Sequence, residues 1–284
     1  MTNVAPDWQS TLDGPRIDRW LAEDVRTGDV TTNAVLDETA TVAARWVAKA
    51  DGVVAGLAEA ESVFRRLDPD LDWRPAVAAG EAVAAGTELV AFDGLGRAVL
   101  TGERVALNIA QRMSGIATAT RGYVEAVAGH RARILDTRKT VPGLRDLDKK
   151  AVAIGGGVNH RAGLYDLAMI KDNHIAAAGG IGAAVAAVRA HAPAIGIEVE
   201  TTTLDELDEA LAAGVDMIML DNMAPETLIA AVARVAGAAQ LEASGNVGAD
   251  NIATIAATGV DFISIGALTH SVIAFDISQR IDRI

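Results

Sequence analysis

Residues 195–221 read IGIEVETTTLDELDEALAAGVDMIMLD. An apolar run, Ile195-Gly196-Ile197-Glu198-Val199, ends at Glu200, and a helical pattern follows from Leu204 to Ala213. A second apolar run, Asp216-Met217-Ile218-Met219-Leu220, ends at Asp221. Continuous apolar strands alternating with helices predict parallel strands covered on both faces. The unit repeats outward. Ile134-Leu135 leads into Asp136-Thr137-Arg138-Lys139, and Leu167 to Ile170 ends at Lys171. Beyond the helix pattern from Pro225 to Val235, Leu241-Glu242-Ala243 ends at Ser244-Gly245-Asn246, and Phe262 to Ile265 ends at Gly266-Ala267. Six strand ends, each followed by polar or glycine residues, predict a short, open α/β barrel of about six parallel strands with its site at their C-terminal ends. A doubly wound sheet is the alternative.

Upstream the texture differs. All four tryptophans (Trp8, Trp20, Trp46, Trp73) fall in the first 73 residues. Residues 51–56 predict a strand and turn, Glu59 to Leu67 a helix, and Glu81-Ala82-Val83 and Thr87 to Val90 short strands set off by glycine turns. These features predict an N-terminal α+β sandwich over residues 1–114. A long helical pattern from Gly102 to Ala128 is expected to break near Ser114-Gly115. The barrel is expected over 115–271, with the tail 272–284 packing back on the first domain.

Composition limits the function. Half of the 284 residues are hydrophobic and only 4% aromatic, so the core is aliphatic. The absence of cysteine excludes disulfides, thiolate zinc sites and cysteine nucleophiles. No apolar run approaches the 18 residues or so of a membrane span. Met1 to Ser10 carries neither a basic residue nor an apolar core, so no signal peptide is expected and a cytoplasmic enzyme fits best. A net charge of −13 disfavours nucleic acid as a partner. The glycines at 155–157 do not follow a strand in dinucleotide-binding spacing, and there is no P-loop.

Against that acidic background, window 131–174 holds nine of the 25 Lys and Arg and five Asp or Glu. Four of the five lysines lie there: Lys139, Lys149, Lys150 and Lys171. A basic pocket in an acidic protein points to a small polyanion; a solvated charged face is the plain alternative. Lys149 and Lys150 fall on a helical stretch, where solvated or partner-facing roles are open. Around the ring of strand ends, Arg138, Lys139 and Lys171 form a cationic wall. Glu200 and Asp221 offer hard oxygens for Mg2+, and Ser244-Gly245-Asn246 with Gly266-Ala267 offer backbone N–H groups for a phosphate. Each has a plainer reading: Glu200 or Asp221 as a helix cap, Ser244 to Asn246 as an ordinary turn, Glu242 and Ser264 as hydrogen-bonding core residues.

The stretches from Asp136 to Arg145, Gly155 to Arg161, Lys171-Asp172-Asn173-His174, Glu198-Val199-Glu200, Leu220 to Met223, Glu242 to Asn246 and Gly266 to Ser271 resemble motifs of the quinolinate phosphoribosyltransferase family. In the first half, Glu23-Asp24, Gly28 to Thr32, Gly102 to Asn108 and Arg112 to Thr118 are similar to family motifs as well. The resemblance covers nearly the whole chain in order. It implies the α+β sandwich, the open α/β barrel and a homodimer at least, with a hexamer as the larger assembly. It also implies transfer of phosphoribosyl from phosphoribosyl pyrophosphate to quinolinate, releasing pyrophosphate and CO2, with Mg2+ required, to give nicotinate mononucleotide for NAD synthesis. By position, Arg138, Lys139, His160, Arg161 and Lys171 would hold the quinolinate carboxylates, with Thr137 beside them and Arg104 reaching in from the partner subunit. Glu200 and Asp221 would face the ribose and the metal, and with Lys139 and Lys171 form the catalytic set. Ser244, Gly245, Asn246, Gly266 and Ala267 would cradle the 5′-phosphate. The rival readings are the related molybdenum-transport-associated branch, nicotinate phosphoribosyltransferase, and a non-catalytic sensor of phosphoribosyl pyrophosphate or pyridine carboxylates.

Overall fold

A computed structural model describes residues 12–283; the expectation for Met1 to Ser10, and Trp8, lie outside them. The strands in chain order are β1 (Thr41–Ala48), β2 (Gly52–Val53), β3 (Asp72–Pro75), β4 (Ala82–Val83), β5 (Glu88–Leu95), β6 (Arg133–Leu135), β7 (Ala168–Ile170), β8 (Ile197–Thr201), β9 (Met217–Asp221), β10 (Gln240–Ser244), β11 (Phe262–Ser264) and β12 (Ile277–Arg283). They divide between two compact units: residues 1–119, 146–156 and 272–284, and residues 120–145 and 157–271.

The first unit is built on an antiparallel sheet in the order β12-β1-β5-β3, with β2 paired to β4. Burial alternates along β1, so one face is a core face. Trp46 there meets Phe64, Trp73 and Phe92 with ring centroids 5.9–6.3 Å apart, and Trp73 and Phe92 approach to 4.9 Å. The indole N–H of Trp46 donates to Gln279 Oε1 at 2.8 Å across the β1–β12 pair, which ties the chain's end into this unit. The helix Arg145–Ile154 joins it too, although the sequence places it inside the barrel segment. Its acidic first turn explains the capture. Arg16 binds Asp146 through two bonds of 2.6 and 2.9 Å, and Arg112 binds the fully buried Asp148 through two of 2.8 Å. Lys150 reaches Glu59 at 2.6 Å, and Lys149 is completely buried. The solvated role left open for Lys149 is therefore overturned by its burial, while the partly exposed Lys150 is tied to Glu59 within the first unit.

A second correction concerns Ser114-Gly115. The helix Gly96–Ala126 runs unbroken through it. Ser114 Oγ accepts from the Ala55 N–H at 2.9 Å and donates to the Ala55 carbonyl at 2.8 Å. A Cβ on Gly115 would lie 2.1 Å from the Ile273 carbonyl oxygen. The small pair marks close packing, not a break. Gly115→Ala is expected to cost about 1–3 kcal/mol, read as a lowered thermal midpoint; an unchanged midpoint would show that the backbone at 273 yields freely.

The second unit holds the parallel sheet, in the order β6-β11-β10-β9-β8-β7. After β6, each strand neighbours the next in sequence, and β11 returns to β6. That cyclic order belongs to a barrel, not to a doubly wound sheet, whose order reverses. The ring is open between β6 and β7, where a single parallel bridge, Leu135 to Val158, extends the β6 edge. Leu135, Met217 and Phe262 from three of the strands pack together with Val158 against them, filling the interior. Among the described residues no helix is long and apolar enough to cross a membrane.

Candidate active site

The pleat sorts the barrel's chemistry. Glu198 pairs with Met217, Glu200 and Glu242 both with Met219, and Ser244 with Asp221. Paired residues in a parallel ladder share a face, and that face recurs every second residue. Glu198, Glu200, Met217, Met219, Asp221, Glu242 and Ser244 therefore all point the same way. The rim of that face carries Glu200, Asp221 and Ser244 at the strand ends, and Glu198 and Glu242 lie one step deeper, fully buried.

The capping alternatives for the rim carboxylates do not hold. The helix Leu204–Ala212 is capped by Thr203, whose Oγ1 accepts from the Glu206 N–H at 3.2 Å, and Ala224 with Pro225 begins the next helix. Glu200 instead accepts from Lys171 Nζ, joining the ends of β7 and β8. Asp221 Oδ2 accepts from Asn222 Nδ2 at 2.8 Å, and Asn222 Oδ1 accepts from Asn246 Nδ2 at 3.0 Å, joining the ends of β9 and β10. Gly245 lies at φ +95°, where a Cβ would fall 2.2 Å from Asn222 Oδ1, so this contact requires glycine. Two partly exposed carboxylates on adjacent strands are the hard oxygen set that Mg2+ takes alongside phosphate and water.

The cations gather in the same unit. Lys139 lies across Gly266, where a Cβ would meet its Cδ at 3.1 Å, and its backbone carbonyl accepts from Thr269 Oγ1 at 2.9 Å. Thr137 Oγ1 accepts from the Lys139 N–H at 3.1 Å. Arg161 is half-buried, and burial and then the neighbouring charge of Arg138 hold its pKa below the usual guanidinium value, against the pull of Glu198 and Asp166. Cations that act on one another in this way favour a bound anion. Arg104 lies in the first unit, exposed on the helix Gly96–Ala126. The backbone N–H of Lys171 donates to His174 Nδ1 at 3.0 Å, so that ring closes the start of the helix Asp172–Ala178. A cavity of about 270 Å3 in the first unit is lined mainly by apolar groups, including Val54, Trp73 and Ile154, and its Lys150 is paired with Glu59, so it does not suit a polyanion.

His160 lies against two buried glutamates. Its side chain is only 6% exposed, and Nε2 lies 3.0 Å from Glu198 Oε2 and 3.1 Å from Glu242 Oε2. Nδ1 accepts from the Arg161 backbone N–H at 2.7 Å. The His160 N–H itself donates to Oδ1 of buried Asp136 at 2.8 Å. Nδ1 is thus hydrogen-bonded to the backbone, and Nε2 stands at ion-pair distance from both glutamates. Burial lowers the ring's pKa, but hydrogen bonding and charge from both glutamates outweigh it and push the pKa up to about 10. Glu198 is pushed up to about 7, by burial first and by the charge of Glu242 next, with His160 opposing. The Arg161 N–H directed at Nδ1 leaves Nε2, which faces both glutamates, as the ring nitrogen that carries hydrogen, and Glu198, pushed up to about 7, holds a proton of its own below that pH. Glu198 and Glu242 are present in the sequence as Glu198-x-Glu200 and Glu242-x-Ser244, a spacing that marks them as sharing the rim residues' face.

Stability should register this proton. A folded pKa above the ordinary 4.5 means that the folded state binds more protons between pH 4.5 and about 7, so stability from this group falls as pH rises through that window. Glu198→Gln cannot titrate. Thermal melts of parent and variant are expected to shift in the variant's favour from pH 4.5 to 7.5; a gap independent of pH would remove the buried acid.

Parallel strands in cyclic order, with cations, carboxylates and glycine turns at their C-terminal rim, define a barrel enzyme acting on small polyanions. The family model for the quinolinate phosphoribosyl transferase N-terminal domain matches residues 29–114, and that for the C-terminal domain matches residues 116–280. The chain belongs to the quinolinate phosphoribosyltransferase family. It is 46% identical over 282 residues to a probable carboxylating nicotinate-nucleotide pyrophosphorylase of Synechocystis, covering 98% of this chain and 95% of the relative. The crystal structure of NadC from Streptococcus pyogenes superposes with a TM-score of 0.92 at 40% identity, covering 95% of this chain and 96% of that one. The nicotinate-nucleotide pyrophosphorylase structure from Francisella tularensis gives 0.92 at 38% identity, covering 96% and 98%.

Proposed function

We propose that this protein is a carboxylating nicotinate-nucleotide pyrophosphorylase, joining quinolinate to phosphoribosyl pyrophosphate and releasing pyrophosphate and CO2. Within the site, the observation that supports this reading best is the set of cations that follows the strand ends, Arg138 and Lys139 after β6 and Lys171 after β7, with Arg161 in the loop between those strands. A guanidinium matches a carboxylate through two parallel hydrogen bonds, and two adjacent guanidinium groups suit a substrate with two adjacent carboxylates.

The chemistry follows from these placements. The pyridine nitrogen attacks the anomeric carbon as its bond to pyrophosphate breaks, and positioning by the cations makes the encounter effectively intramolecular. Glu200 and Asp221 place negative charge beside the ribose as it becomes oxocarbenium-like. Ser244 to Asn246 and Gly266 with Ala267 supply backbone donors for the 5′-phosphate. Mg2+ held by Glu200 and Asp221 would neutralise charge on the departing pyrophosphate. The quaternary ring nitrogen then stabilises the electron pair left on the adjacent carbon when CO2 departs, and a proton replaces the carboxylate. The cationic wall turns that carboxylate out of the ring plane. The working unit is at least a homodimer, with exposed Arg104 entering the partner's barrel.

Purified protein given quinolinate, phosphoribosyl pyrophosphate and Mg2+ is expected to release CO2 and nicotinate mononucleotide one for one, and EDTA to stop both. Turnover of nicotinate instead, or binding of quinolinate without CO2 release, would replace the proposal with a nicotinate transferase or a sensor.

A further inference from the structure

Three residues at the barrel rim hold left-handed backbone: Asn222 at φ +54°, Gly245 at +95° and Asn246 at +50°. They follow the neighbouring strands β9 and β10, whose last residues, Asp221 and Ser244, are paired in register. Asparagine tolerates this backbone better than most residues do, but glycine tolerates it better still. Two asparagines there call for a task that their carboxamides perform, and backbone outliers of this kind gather at functional sites.

The carboxamides form a directed chain. An ionised carboxylate only accepts, so Asn222 turns its Nδ2 to Asp221 Oδ2, at 2.8 Å. Its Oδ1 then faces Asn246, which answers with Nδ2 at 3.0 Å. The Asn222 backbone N–H donates to the Ser244 carbonyl at 2.8 Å. One residue thus reaches both strand ends through three bonds. Beyond it, Asn251 Nδ2 donates to the Asn246 carbonyl and Asn251 Oδ1 accepts from the Gly248 N–H, both at 2.9 Å. These bonds tie the turn to the start of the helix Ile252–Ala256.

We propose that Asn222 is a positioning residue: its carboxamide sets the Asp221 carboxylate at a fixed place relative to the Ser244–Asn246 turn, so that the ribose-and-metal end and the 5′-phosphate end of phosphoribosyl pyrophosphate are gripped as one unit. The bond to Oδ2 stops the carboxylate from rotating, and the bond from Asn246 stops the turn from drifting along the rim. The inference rests on the reading that Asp221 faces the ribose and the metal while the turn takes the phosphate.

Glycine removes each carboxamide and keeps the left-handed backbone, so Asn222→Gly, Asn246→Gly and the double variant form a cycle that measures the coupling. Calorimetry with phosphoribosyl pyrophosphate and Mg2+ uses phthalate in place of quinolinate, because phthalate has two adjacent carboxylates and no attacking nitrogen. Each single variant is expected to bind phosphoribosyl pyrophosphate about 10- to 100-fold more weakly than the parent. The double variant is expected to bind it no more weakly than Asn222→Gly. Phthalate titrated alone should bind every variant within about threefold of the parent. Losses that multiply in the double variant would mean that Asn246 acts on the phosphate by itself, and overturn the coupling. Unchanged affinity for phosphoribosyl pyrophosphate in either single variant also overturns it, as does an equal loss for phthalate, which marks a merely structural role. If Asn222→Gly does not fold, Asn222→Ala takes its place in the cycle with the same expectations. Failure of the parent to release CO2 from quinolinate would sink the functional reading itself, whereas an active parent whose variants break these expectations sinks only this inference.

Discussion

Replacing Lys171 with alanine is expected to lower kcat/KM for quinolinate about 100- to 1,000-fold. Two effects act together. The substrate loses a cation at the end of β7, and Glu200 loses the ammonium group it accepts from. Glu200 is on the inward face at the rim, so its uncompensated charge would repel an incoming dianion through a partly desolvated space. Lys171→Arg keeps the charge with altered geometry and is expected to retain more activity than Lys171→Ala. The measurement is CO2 release at saturating phosphoribosyl pyrophosphate. A loss below about tenfold, or equal losses in the two variants, would remove Lys171 from the site.

The second large effect concerns assembly. Arg104→Ala and Lys171→Ala are each expected to be inactive as pure proteins, yet a mixture allowed to exchange subunits should recover activity. If Arg104 completes the partner's barrel, a mixed dimer has one site with both defects and one with none. Random exchange of equal amounts makes about half the dimers mixed, so about a quarter of all sites are intact. Recovery near that fraction, rising with the time allowed for exchange, is the expected result. No recovery after exchange has been demonstrated by mass or labelling would mean that Arg104 acts within its own chain or not at all.

Much of this molecule is readable from apolar runs and their ends. The barrel strands appear as short continuous runs because both faces of a parallel sheet are covered, and the rim residues follow because chemistry collects at strand C-termini. The same reading fails where residue type and environment separate. Lys149 and Lys150 look like the rest of a cationic cluster, but Asp146 and Asp148 on the same helix are held by Arg16 and Arg112, which are distant in sequence. Ser114-Gly115 looks like a helix break because small polar residues often are one; here the missing side chain admits the backbone at Ile273. His160 sits in a cationic motif, and nothing near it in the sequence shows that its ring lies against Glu198 and Glu242.

The sequence by itself determined the class of fold, the strands and their polar ends along the chain, and the family. Periodicity and strand-end chemistry are local properties, written within a few residues. Tertiary structure alone decided that the strands follow one another in cyclic order around an open ring, that the helix Arg145–Ile154 belongs to the first unit, and that His160 faces inward between Glu198 and Glu242. Each depends on contacts between residues far apart in the chain. A histidine's letter says nothing of its neighbours; folding decides which partners reach it.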